Sequence, residues 1–89
     1  NFTKAFIGTN GISLGHGYTT PDIEEAFIKS LAIDHSYVSY VLADSSKFDL
    51  VKANHFAELH DMDMLITDNK LSLDWRDFLN NAQINLKLV

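Results

Sequence analysis

Short β-forming runs that alternate with helix-patterned segments constrain this chain more than any other feature. Ala5-Phe6-Ile7, Tyr37 to Ala43, Met64-Leu65-Ile66-Thr67 and Ile84 to Val89 are apolar runs in which β-branched and aromatic residues are frequent, and they read as strands. After the first run, Thr20-Pro21-Asp22 reads as a helix start. Thr20 is the expected N-cap, Pro21 the first helical residue, and Asp22, Glu24 and Glu25 the acids of the first turn. Ile23, Ala26, Phe27, Ser30 and Leu31 share one face at helical spacing, with Glu25 and Lys29 pairing outside it, and the helix is expected to end near Asp34-His35. Ser72 is placed to cap a second helix whose apolar positions are Leu71, Trp75, Phe78, Leu79 and Ala82. Phe48 to His60 reads either as a short helix or as irregular cover. The order β-α-β-(short)-β-α-β predicts an α/β domain: a parallel sheet with crossover helices on its faces.

Composition narrows the possibilities. Eighty-nine residues form one domain, and 46% hydrophobic with 11% aromatic content excludes a disordered chain. No stretch approaches the roughly 18–20 apolar residues of a membrane span. Cysteine is absent, which excludes disulfides, thiol catalysis and cysteine-ligated zinc. Seven Lys+Arg against 12 Asp+Glu leave a net charge of −5 without a basic stripe, so this segment is a poor candidate for gripping DNA phosphates itself. The chain runs from Asn1-Phe2-Thr3-Lys4 straight into its first apolar run with no Met. We therefore expect a piece of a longer protein, with an unpaired sheet edge that favours self-association.

In open α/β sheets, ligands gather beyond the carboxyl ends of the strands. Three polar loops fall there: Gly8 to Gly17, Asp44 to Lys47, and Thr67 to Asn69. The first joins glycine freedom to a helix N-terminus, a setting that suits a phosphate, and Lys47 brings a cation on the neighbouring exit. The plainer reading is that these glycines only make tight turns. The loop lacks the Gly-Lys-[Ser/Thr] ending of a nucleoside triphosphate loop, and Gly8-x-x-Gly11 does not match the dinucleotide pattern. His16, His35, His55, His60, Asp61 and Asp63 show no metal-ligand spacing and read as solvated loop residues, so neither a metal nor a cofactor is expected. No Ser, His and acid form a readable nucleophile arrangement.

Four segments together resemble one known family. Lys4-Ala5-Phe6-Ile7-Gly8-Thr9-Asn10-Gly11-Ile12-Ser13, then Gly17-Tyr18-Thr19-Thr20-Pro21-Asp22 with Glu25, then Val41-Leu42-Ala43-Asp44-Ser45-Ser46-Lys47-Phe48, then Leu65-Ile66-Thr67-Asp68 are similar to the effector-binding domain of DeoR-family transcriptional regulators. The resemblance covers nearly the whole chain. It implies a Rossmann-like three-layer fold with a mostly parallel sheet, shared with ribose-5-phosphate isomerase and the sugar-phosphate deaminases, of which this chain is a C-terminal portion. It also implies a cytoplasmic bacterial regulator of carbohydrate metabolism, a repressor by expectation, with a phosphorylated sugar as effector. Operator DNA would be bound through an N-terminal helix-turn-helix domain absent from this chain, with no membrane association and a homo-oligomeric assembly.

On the same resemblance, Asn10, Gly11, Glu25 and Lys47 match positions bordering the ligand pocket, with Asp44 supporting the loop that holds Lys47. Isomerases of this fold carry an acidic pair where this chain has Thr9-Asn10-Gly11, which speaks against catalysis, and no catalytic residue is assigned. The alternatives are a sugar-phosphate isomerase-like enzyme using Glu25, or a non-sensing oligomerisation fragment.

Overall fold

The structure, a computed structural model, describes residues 2–89. It is an α/β arrangement in which β1 (Phe2–Gly8), β4 (Ser36–Leu42), β6 (Met64–Thr67) and β7 (Leu86–Leu88) form a parallel sheet in the order β1-β4-β6-β7. The register pairs Phe6 with Tyr40, Ile7 with Val41, Val41 with Leu65 and Leu65 with Leu86. The expected parallel sheet is present, and each strand read from the sequence appears in it.

A second, antiparallel sheet was not anticipated. It contains β2 (Gly11–Ser13), β3 (Gly17–Thr20) and β5 (Asn54–Ala57) in the order β2-β3-β5. Two expectations change with it. The Gly8–Gly17 segment is a hairpin rather than an open loop, and its Ile12 and the following Tyr18 are completely buried. Phe48 to His60 is irregular as far as Ala53 and enters a short 3₁₀ turn at Leu59, but between them β5 pairs with β3 through Tyr18 and Ala57, and Thr20 and Asn54. The alternation Asn54, His55, Phe56, Ala57 spans only four residues, too short for a periodicity to announce itself.

Helix α1 spans Ile23–Asp34 and ends where expected, but its start and its buried face differ. Thr20 belongs to β3, and Asp22 is the N-cap, its carboxylate accepting from the Glu24 amide at 2.8 Å. The helix packs inward through Ala26, with Ala32 and Ile33 partly buried against the core. Ile23, Phe27 and Leu31 point outward at 70%, 65% and 41% exposure. Both stripes are apolar at helical spacing, and the small Ala26 and Ala32 admit the closer approach to the sheets. Lys29 does not pair with Glu25; its ammonium sits 5.3 Å from the centre of the Phe56 ring. Helix α2 (Leu73–Asn81) matches expectation, with Ser72 Oγ accepting from the Trp75 amide at 3.2 Å.

One core joins the layers. Ala5, Ile7, Val41 and Leu65 of the parallel sheet meet Ala26 of α1, Ile12, Tyr18 and Phe56 of the antiparallel sheet, and Trp75 and Leu79 of α2. Each fully buried aliphatic chain such as Val41 or Leu65 stabilises the fold by about 1.5–3 kcal/mol. Phe48 packs edge-on against Trp75 with ring centres 4.9 Å apart, and Trp75 Nε1 donates to Asp49 Oδ1 at 3.1 Å. These contacts hold the Phe48–Asp49 segment, and the amide of Asp49 donates to the Ile12 carbonyl at 2.7 Å. The segment following Lys47 is thus anchored at both sides.

Candidate functional site

The carboxyl ends of β1, β4 and β6 open into a cleft of about 470 Å³. Gly8, Thr9, Leu42, Ala43, Ile66 and Val89 form most of its lining, with Asp44, Lys47 and Asp68 as the charged groups. It is therefore an apolar trough with one ammonium and two carboxylates at its rim.

Local hydrogen bonds place Lys47. Asp44 caps a single 3₁₀ turn, Ser45–Lys47, by accepting from the Ser46 amide at 2.9 Å and from the Ser46 hydroxyl. Asp68, on the exit of β6, accepts from the Ser45 amide at 2.8 Å and from the Lys70 amide at 2.9 Å. Two neighbouring strand exits are thereby tied together. The Ser46 hydroxyl, then the Ser46 amide, hold the Asp44 carboxyl below the usual carboxylate range. The amides of Ser45 and Lys70 do the same for Asp68. Both acids are ionised at neutral pH and spend charge on turn amides. Among the described residues no carboxylate forms an ion pair with Lys47.

On the β1 side, Thr9-Asn10-Gly11 crosses onto β3. The Thr9 hydroxyl lies 3.0 Å from the Gly11 carbonyl and 3.1 Å from that of Thr19, while the Asn10 amide donates to the Thr19 carbonyl at 3.2 Å. Asn10 Oδ1 accepts from the Thr20 hydroxyl at 3.0 Å. Gly11 faces protein: a Cβ there would stand 2.5 Å from the Leu50 carbonyl oxygen and 2.5 Å from Thr19 Oγ1.

Of the residues singled out in the sequence, the structure brings Lys47 and Asp44 together at the cleft. Asn10 and Gly11 adjoin its Thr9 corner without lining it, and Glu25 stands exposed in the first turn of α1, away from the lining. The expected anion setting at the α1 N-terminus is not offered, since Asp22 already accepts there and Glu24 and Glu25 add negative charge. Gly8, Thr9 and Asp68 were not named from the sequence as lining residues. The strand-end rule placed them only within the loops Gly8 to Gly17 and Thr67 to Asn69, because each closes or follows a strand of the parallel sheet. Elsewhere, His55 meets Glu58 at 3.2 Å on the surface, and among the described residues no three His, Asp or Glu gather as a metal site.

Comparison with known proteins gives this geometry a context. Residues 1–69 match the family model described as the DeoR C terminal sensor domain. This chain belongs to the DeoR family. The match runs from β1 through β6, which takes in all of the cleft except Val89. The chain is 45% identical over 67 residues to the uncharacterized HTH-type transcriptional regulator FruR of Bacillus subtilis, covering 75% of this chain and 27% of that protein. It is 34% identical over 86 residues to the HTH-type transcriptional regulator GlpR of Haloferax volcanii, covering 97% and 34%. A lactose phosphotransferase system repressor of Staphylococcus epidermidis is 38% identical over 68 residues, covering 76% and 27%. The matched stretches are therefore about a third or less of the curated relatives' length. No helix of the described residues is long and apolar enough to cross a membrane.

Proposed function

We propose that these residues are the effector-sensing part of a DeoR-type transcriptional regulator, a repressor of carbohydrate metabolism, whose cleft takes a phosphorylated sugar. The observation that carries this reading is Lys47: a cation without an ion-paired carboxylate among the described residues, lining the same largely apolar cleft as Gly8 and Thr9 at the end of β1. In this reading the phosphate sits between Lys47 and the Gly8–Thr9 backbone, away from Asp44 and Asp68. Those carboxylates repel a phosphate and accept from sugar hydroxyls, which sets the orientation of the ligand. Asn10 and Gly11 act one step back, by fixing Thr9 against β3. Glu25 has no place in the contact, which also supports a binding rather than an isomerising role.

In the intact regulator, ligand binding would favour one arrangement of the protein or its oligomer and so change how helix-turn-helix domains elsewhere in the polypeptide meet an operator. The family membership and the regulators and repressor among the relatives support this part of the reading. The test is Lys47→Ala in the full-length protein. Loss of one charge-assisted contact should weaken the response to a phosphosugar by about tenfold or more, with operator binding retained. An unchanged response in a DNA-release titration refutes the assignment.

A further inference from the structure

Just past Lys47 the backbone makes a turn that its residue type does not favour. Asp49 has a φ of +67°, in the left-handed region that suits glycine and costs other residues, although aspartate tolerates it better than most. The chain after it is fixed by the hairpin: Gly11 leaves room for the Leu50 carbonyl, and the Lys52 amide donates to Thr19 Oγ1 at 2.9 Å. The turn before it is fixed at its start, where Asp68 accepts from the Ser45 amide. Asp49 is the joint between the two, and its φ sets how the Ser45–Lys47 turn stands against the hairpin.

Trp75 grips this joint from α2. Its indole Nε1 donates to the Asp49 carboxylate while its ring packs edge-on against Phe48, so one side chain holds two consecutive residues. The remaining hold is the bond from the Asp49 amide to the Ile12 carbonyl. Close packing does not finish the task. Asp49 is exposed, and two clefts of about 220 and 230 Å³ both have Asp49, Ser72 and Trp75 in their lining. Ser45 and Ser46 border the second of them. Open space beside the joint lets the turn move once the indole bond is lost, where a close-packed interior would pin it.

We infer that Asp49 and Trp75 are positioning residues for the cleft: the indole bond keeps Asp49 left-handed, and that backbone turn keeps Lys47 in the cleft lining. The inference rests on the reading of Lys47 as the contact for the ligand's phosphate. With the bond broken, Asp49 relaxes to the negative φ that a residue with a side chain prefers. Leu50 and Lys52 stay on the hairpin, so the Ser45–Lys47 turn takes up the rotation. The ammonium is then displaced from the lining it shares with Gly8 and Thr9. What governs affinity is therefore the backbone conformation of residue 49 rather than the charge it carries. Asp49→Gly supplies the left-handed turn without help from the indole, and Asp49→Ala supplies neither the turn nor the bond.

The test compares Asp49→Ala, Asp49→Gly, Trp75→Phe and the double variant Asp49→Gly with Trp75→Phe in the full-length protein. For each, the concentration that half-releases operator DNA, using the most effective member of a pentose and hexose phosphate panel, is set beside the midpoint of a urea titration. Asp49→Ala and Trp75→Phe should each raise that concentration about fivefold or more. Asp49→Gly should rescue the response to within about twofold of the parent, although it too loses the indole bond and unfolds at lower urea. Adding Trp75→Phe to Asp49→Gly should change the response no further. Responses that simply follow the urea midpoints mean a role in stability alone and overturn the inference. Equal losses for Asp49→Gly and Asp49→Ala overturn it too, as does a Trp75→Phe loss that persists beside Asp49→Gly. So does a responding parent whose variants all stay within about twofold of it. A parent that no member of the panel releases from its operator overturns the ligand reading itself, and this inference with it. Should Trp75→Phe lack the parent's circular dichroism, Asp49→Ala against Asp49→Gly decides alone.

Discussion

The hydroxyl of Tyr18 donates to the carbonyl of Leu59 at 3.0 Å, inside the core, across 41 residues of chain. This bond ties β3 to the turn that follows β5, and so fastens the antiparallel sheet over the parallel one. Tyr18→Phe leaves that carbonyl unsatisfied and should destabilise the full-length protein by about 1–3 kcal/mol in denaturant titrations. Burial, with a smaller contribution from Asp61, pushes the phenol above its ordinary ionisation range. Its neutral form is the one the fold holds. The associated stability is complete below about pH 10 and is lost as pH rises beyond it, and Tyr18→Phe should flatten that alkaline limb.

Gly11 and Gly15 should respond oppositely to the same change. A Cβ on Gly11 would stand 2.5 Å from a backbone oxygen of Leu50, which cannot swing aside, so Gly11→Ala should cost about 1–3 kcal/mol. At Gly15 a Cβ meets nothing within 4 Å, and Gly15→Ala should stay within about 0.5 kcal/mol of the parent. Equal melting temperatures for the two variants would show that the hairpin is looser than described.

The turn holding Lys47 should be sensitive to acid. Asp44 and Asp68 both have lowered pKa values because turn amides and a hydroxyl favour their ionised forms. Their contribution is present above the ordinary carboxylate pKa of about 4 and disappears as pH falls through the lower folded values. The double variant Asp44→Asn with Asp68→Asn should therefore show a shallower loss of stability on acidification. Denaturation midpoints measured from neutral pH downward check the slope, and parallel curves for parent and variant count against this placement.

Gly8 separates ligand binding from folding. It lines the cleft, and a Cβ there meets nothing within 4 Å. Gly8→Val should leave stability unchanged or raise it by up to about 1 kcal/mol, since valine suits a strand better than glycine. The thermal stabilisation that a phosphosugar gives the full-length protein should fall with it. Retained stabilisation would move the ligand away from the β1 end.

The parallel sheet was legible because each of its strands is a concentrated apolar run, and α2 because Ser72 and the Trp75–Leu79 spacing state both its start and its buried side. Lys47 was legible as a charged residue just past a strand. The antiparallel sheet was not, since β2, β3 and β5 are three or four residues long and their pairings join positions far apart in the chain. The outward turn of Ile23, Phe27 and Leu31 was hidden for a different reason. Helical periodicity shows that apolar stripes exist, but with two available the neighbours choose between them.

Local composition thus determined the strands of the parallel sheet, the two helices and their order, because these depend on residues a few positions apart. The tertiary structure alone decided that the glycine-rich segment is a packed hairpin and that Gly8 and Thr9, rather than Glu25, line the cleft with Lys47. It also decided which face of the parallel sheet the described elements cover, since long-range pairing and steric fit, such as the 2.5 Å approach at Gly11, have no signature in neighbouring residues.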